Sequence, residues 1–162
     1  MAKTGSWFVR GSGPKDSADG WGLTSIRSGI GEDHRAHGRD VVKTCLVVDD
    51  SVAIRKVARM ILENLSFHVT EASDGHEAIA WCRASMPDAI LLEWNMPLMS
   101  GIDFLRQLRA EPLGQGPKVL FCTVENDLSH INEALKAGAN EYIMKPFDGD
   151  VISAKFAEVG LI

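Results

Sequence analysis

The run Asp88-Ala89-Ile90-Leu91-Leu92 constrains the fold more than any other stretch, because it has no polar residue at alternate positions. A strand with one wet face alternates polar and apolar residues. A strand that is apolar throughout is covered on both sides, as a central strand of a parallel sheet is. The run stops at Glu93 and is followed by Trp94-Asn95-Met96-Pro97 and a new helical pattern from Gly101. A carboxylate is thereby delivered to the carboxyl end of a strand, the edge at which open α/β sheets bind ligands.

Four further strand patterns and five helical ones surround this run. Thr44-Cys45-Leu46-Val47-Val48 ends at Asp49-Asp50, and Ser51 stands where a helix N-cap belongs. Ile54, Val57, Ala58, Ile61, Leu62 and Leu65 then recur at helical spacing, with Arg55 and Arg59 off the stripe as a solvated face. Residues 67–72 alternate like a strand, and Asp74-Gly75 turns into a second helix through Ala78, Ile79 and Cys82. Ile102, Leu105 and Leu108 mark a third helix that stops before Glu111-Pro112. Lys118-Val119-Leu120-Phe121-Cys122 is a fourth strand. Asn126 or Asp127 can cap a fourth helix carrying Leu128, Ile131 and Leu135, which Gly138 ends. Glu141-Tyr142-Ile143-Met144 is a fifth strand, and Asp148 or Asp150 leads a last helix through Ile152, Phe156 and Val159. Five strands alternating with five helices predict a doubly wound parallel α/β sheet with helices on both faces.

Residues 1–40 read differently. They hold 8 of the 15 glycines and no sustained apolar period, and their 6 basic and 5 acidic residues nearly cancel. Such a segment buries too little apolar surface to offset the entropy of ordering it, so it is expected to be a disordered, flexible N-terminal extension of a single domain at 41–162. Trp7, Phe8 and Trp21 within it read either as anchors for a partner or the domain, or as incidental sequence. The net charge of −5 argues against a direct nucleic-acid partner, since phosphate binding requires a basic face. No run approaches the roughly 20 apolar residues of a membrane span, and the first residues lack a secretory core. Cys45, Cys82 and Cys122 each lie in an apolar segment, as buried reduced thiols, and together these features suggest a cytoplasmic protein. The five histidines assemble no convincing metal site.

Four strand ends carry polar residues: Asp49-Asp50, Glu93, Thr123 and Lys145-Pro146. Convergence at one sheet edge would place three carboxylates together, which repel and require a cation. All-oxygen ligands favour a hard ion such as Mg²⁺. A hydroxyl and an ammonium opposite them would hold the oxygens of a phosphoryl group, the layout for phosphoryl transfer by positioning and charge neutralisation. The Lys145-Pro146 bond is a candidate cis peptide.

The motifs Val47-Val48-Asp49-Asp50-Ser51, Leu92-Glu93-Trp94-Asn95-Met96-Pro97, Phe121-Cys122-Thr123 and Tyr142-Ile143-Met144-Lys145-Pro146-Phe147 span nearly the whole folded segment. On them, 41–162 resembles the receiver domain of two-component response regulators of the CheY-like chemotaxis type. The resemblance implies the flavodoxin-like five-stranded (βα)5 fold. It also implies Mg²⁺ held by Asp49, Asp50, the acceptor carboxylate at 93 and the backbone carbonyl of Asn95. A histidine kinase or phosphotransfer protein would donate to the acceptor, and Thr123 and Lys145 would contact the phosphoryl group. Tyr142 would turn inward on activation, and Asn95 and Glu125 would tune dephosphorylation. Trp94 would lie at the rim of the site. With the chain ending just after the last helix, output is expected through binding a protein such as a flagellar switch component.

Glu93 departs from the pattern, which has aspartate at the acceptor position. One extra methylene displaces an acyl phosphate toward Lys145 and Thr123, so phosphorylation is expected to be poor or absent. The longer carboxylate can instead reach Lys145 or Thr123 and partly imitate the phosphorylated state. It carries about one negative charge against nearly two for a phosphoryl group. Glu93 then reads as a substitution introduced to imitate activation, as a natural pseudo-receiver held in one state, or as a slow acceptor. Val124 stands where the family has a small residue and would narrow access for a donor, while Ser100 in place of a common aspartate reads as neutral. A Mg²⁺-dependent phosphohydrolase similar to the haloacid dehalogenases competes as an enzyme, although Asp49-Asp50-Ser51 lacks their spaced second aspartate. A ligand-binding pseudo-receiver is the third reading.

Overall fold

The computed structural model describes residues 41–124 and 128–162. Five parallel strands, β1 (Thr44–Val48), β2 (His68–Ala72), β3 (Ala89–Glu93), β4 (Lys118–Thr123) and β5 (Glu141–Met144), form one sheet in the order β2-β1-β3-β4-β5. They alternate with α1 (Val52–Asn64), α2 (Gly75–Ala84), α3 (Gly101–Ala110), α4 (Leu128–Ala137) and α5 (Gly149–Glu158). The expected disorder of 1–40, the Asn126 or Asp127 cap and Glu125 fall outside the described residues.

Strand period 2 divides the core into two layers. Cys45, Val47, Ala89, Leu91, Leu120, Cys122 and Ile143 pack with Ala58 and Leu62 of α1 and Ile152 and Phe156 of α5. Leu46, Val48, Ile90, Leu92, Val119 and Phe121 pack with buried residues of α2, α3 and α4. Every residue of β3 is buried, as a strand apolar on both faces requires. The helix starts read at Ser51, Asp74 and Asp148 are caps, and Ser100, read as neutral, is a fourth. Ser51, Asp74, Ser100 and Asp148 each accept a backbone N–H of the first turn through the side chain. Gly138, at φ +105°, follows α4 in a backbone conformation that a side chain would strain. Gly101 opens α3 hard against β3, where a Cβ would collide with the Glu93 carbonyl oxygen and the Phe121 ring.

Two apolar stripes lie differently from their sequence reading. Val57 is 41% exposed rather than part of the buried face of α1, whose buried residues are Ala58 and Leu62. On α4 the buried residue is Ala134, and Leu128 and Leu135 are exposed. The three cysteines are buried free thiols. Burial pushes Cys45 up to about 12 and Cys82 up to about 11, so both stay protonated and inert.

Candidate functional site

The site follows from strand period. Asp49 continues the register of Cys45 and Val47, Glu93 that of Ala89 and Leu91, and Lys145 that of Ile143, all on the α1/α5 side of the sheet. Strand order puts β1 beside β3 and β5 one strand beyond β3 across β4, and the long Lys145 side chain spans that gap, so the three side chains meet at the carboxyl edge. Thr123 has the opposite parity, continuing Val119 and Phe121 toward α3 and α4. It is buried, and its carbonyl accepts the Lys145 backbone N–H at 2.8 Å. The Lys145-Pro146 bond is cis.

The Lys145 ammonium donates to Asp49 Oδ2 at 2.7 Å and to Glu93 Oε2. Asp49 Oδ1 accepts the Ser51 N–H at 2.8 Å, and Glu93 Oε1 accepts the Asn95 N–H at 2.9 Å. All four oxygens of the two buried carboxylates are therefore engaged. Burial alone would lower the Lys145 pKa. The hydrogen bonds and charges of Asp49 and Glu93 outweigh it and hold the lysine above its ordinary value. Beside them the Cys122 thiol is pushed well up, chiefly by burial.

The sequence places Asp50 and Asn95 with these residues, and in the structure both are exposed. Among the described residues no group of three His, Cys, Asp or Glu side chains is arranged to hold a metal ion. Lys145 stands between the two buried carboxylates instead. Trp94 lies at the rim, half-buried, with its ring tilted on Phe121 at 5.2 Å and stacked on His130 of α4 at 4.8 Å. Tyr142 is half-buried against the α2/α3/α4 core layer, and the Lys155 ammonium lies 5.7 Å from its ring centre. Val124 is exposed.

Two contacts escaped the sequence reading. Arg55, assigned to a solvated face, donates to the Asp49 carbonyl at 2.7 Å and to Glu71 at 3.1 Å, and only 13% of its side chain is exposed. Glu71 sits in register with Val47 on the neighbouring strand, so an acid there, opposite a base on the first turns of α1, was the available signal. The Trp94–His130 stack had no local signal, because it joins a strand end to a helix 36 positions on.

Comparison with known proteins agrees with this architecture. The family model described as response regulator receiver domain matches residues 45–157. The chemotaxis protein CheY of Pseudomonas aeruginosa is 36% identical over 115 residues, covering 70% of this chain and 93% of that protein. Chemotaxis protein CheY-3 of Vibrio cholerae is likewise 36% identical, covering 88% of that protein. The structure of V. cholerae CheY4 superposes with a TM-score of 0.70 at 29% identity, covering 73% of this chain and 98% of the other. The receiver domain of sensor histidine kinase PA1611 from P. aeruginosa, described with a magnesium ion in its active-site cleft, gives 0.67 at 26% identity, covering 74% and 98%. Neither the phosphohydrolase nor the ligand-binding reading is favoured by these relatives. Matched over most of its length by the family's pattern and folded as its relatives are, the chain belongs to the response regulator receiver domains, of the CheY-like kind used in two-component and chemotaxis signalling.

Proposed function

We propose that this receiver signals by binding a protein rather than by turning over a substrate, and that Glu93 holds its site in one state without accepting a phosphoryl group. The observation carrying this reading is the Lys145 ammonium shared between Glu93 and Asp49. In the receiver pattern the lysine at this position contacts the phosphoryl oxygens. Here the longer side chain brings a carboxylate oxygen to it directly. With about one charge in place of nearly two, the imitation is partial. Arg55 and the Ser51 and Asn95 N–H groups fix the two acidic residues, so Glu93 is bound at both oxygens and poorly placed as a nucleophile. The upstream partner is a histidine kinase or phosphotransfer protein and the downstream one a protein such as a flagellar switch component. The setting is cytoplasmic, in keeping with the absence, among the described residues, of any helix long and apolar enough to cross a membrane.

Magnesium is the metal the family implies, and Asp49, Asp50, Glu93 and the Asn95 carbonyl are the ligand set its pattern gives. As arranged, that set does not fit. Each oxygen of the two buried carboxylates already accepts one N–H, the Lys145 ammonium stands between them, and the third carboxylate is turned to solvent. No step is therefore assigned to the metal. Incubation of the chain and of Glu93→Asp with acetyl phosphate and Mg²⁺, read by intact mass, tests the functional reading. The expected result is a phosphoryl adduct on the aspartate variant alone. Equal adducts on both would overturn it.

A further inference from the structure

Asp49 and Glu93 place two carboxylates in a pocket where their side chains are 3% and 10% exposed, with one ammonium between them that is 11% exposed. Charges so enclosed are poorly screened by salt, and each must find a partner within the protein. A divalent ion entering this pocket needs carboxylate oxygens as ligands at about 2.1 Å for Mg²⁺, in near-octahedral array. Two of those oxygens accept main-chain N–H groups, from Ser51 at 2.8 Å and from Asn95 at 2.9 Å, which an entering ion would have to share or displace. The other two are held by Lys145. The lysine is fixed at its root as well, since its backbone N–H is bonded to the Thr123 carbonyl. The reach of glutamate closes the arrangement by carrying the second carboxylate onto the ammonium.

We propose that Lys145 is the resident cation of this site, so that a divalent ion binds only by displacing it and the receiver keeps its charge balance without metal. The inference rests on the reading of Asp49, Glu93 and Lys145 as the receiver's site. It does not rest on whether Glu93 is phosphorylated, so the two readings fail separately. Equal phosphoryl adducts on the unaltered chain and Glu93→Asp sink the functional reading and leave the metal question to its own measurement.

That measurement is a calorimetric titration of the full chain with MgCl2 at constant ionic strength, together with melting temperature in Mg²⁺ and in EDTA. The variants are Lys145→Met, Lys145→Arg and Glu93→Asp. The unaltered chain and Lys145→Arg are expected to show no saturable Mg²⁺ heat up to about 10 mM and no Mg²⁺-dependent shift in melting. Lys145→Met leaves two buried carboxylates without a counter-charge. It is expected to gain at least about tenfold in Mg²⁺ affinity and to be stabilised by Mg²⁺ alone. If Lys145→Met does not fold, Glu93→Asp decides: its shorter side chain loosens the ammonium, and Mg²⁺ affinity is expected to rise about tenfold over the unaltered chain. Tight, equal Mg²⁺ binding by the unaltered chain and either Lys145→Met or Glu93→Asp would overturn the proposal. So would Mg²⁺ binding by Lys145→Arg as tight as by Lys145→Met.

Discussion

Glu71 shows how a single charged residue outside the site supports it. Its carboxylate takes Arg59 Nε at 2.5 Å and Arg55 Nε at 3.1 Å, and Arg55 in turn reaches the Asp49 carbonyl at 2.7 Å. The Arg59 hydrogen bond, followed by that of Arg55, holds Glu71 below the usual carboxylate range despite some burial. A carboxyl whose folded pKa is depressed adds stability that is present above its unfolded pKa and is lost as pH falls through the folded value. Glu71→Gln is therefore expected to cost up to about 1 kcal/mol at neutral pH, since the side chain is still partly solvated. The difference should vanish at a pH below the folded pKa, where both side chains are neutral. Urea denaturation of the two proteins at neutral and acidic pH measures the gap; a constant gap would contradict the linkage. Sequence alone singled out Asp49, Glu93 and Lys145, which the structure brings together, because strand-end polar residues stand out against apolar runs; Asp50, singled out with them, is exposed. Arg55 stayed hidden because a base on an amphipathic helix looks the same whether it meets water or a carbonyl.

At the scale of elements, the strands were legible because their apolar content is unambiguous, and the starts of α1, α2 and α5 because each short polar side chain precedes an apolar period; the Ser100 cap of α3 was not read. Nor was helix rotation. The stripe Leu128, Ile131 and Leu135 defines an apolar arc on α4, yet the helix buries Ala134, roughly a quarter-turn away. A ten-residue helix over a sheet edge buries whichever arc packs closest, and a small alanine allows closer approach than leucine. Truncation should separate the two kinds of leucine. Leu108→Ala, fully buried on α3, is expected to cost about 2–5 kcal/mol. Leu128→Ala, 73% exposed, should stay within about 0.5 kcal/mol. Comparable losses in denaturant midpoint would show that α4 buries its leucine stripe after all. The family's four motifs made the order of elements readable, but they carry no information on how far each helix is turned.

Across the whole domain, the sheet separates two layers that meet at the end of β3. Glu93 faces the α1/α5 layer, where Lys145 and Asp49 hold it. Trp94, one residue on, faces the α3/α4 layer, where it touches Phe121 and stacks on His130. Its backbone is pinned on both sides, its N–H to the Cys122 carbonyl at 3.3 Å and its carbonyl to the Gly101 N–H at 2.9 Å. Trp94 thus sets an aromatic contact between the end of β3 and α4, while the apolar layer around α1 and α5 is built from other residues. Trp94→Ala removes that contact without touching Lys145. A stacked ring pair contributes about 0.5–1.5 kcal/mol, so amides of α4 should exchange with solvent about two- to tenfold faster in the variant. Amides of α1 and α5 should keep their rates, because Ala58, Leu62, Ile152 and Phe156 pack on the opposite face. A rise shared equally by both layers in hydrogen–deuterium exchange would mean that Trp94 supports the domain as a whole. A rise confined to α4 would identify it as the side chain through which the site and that helix are joined.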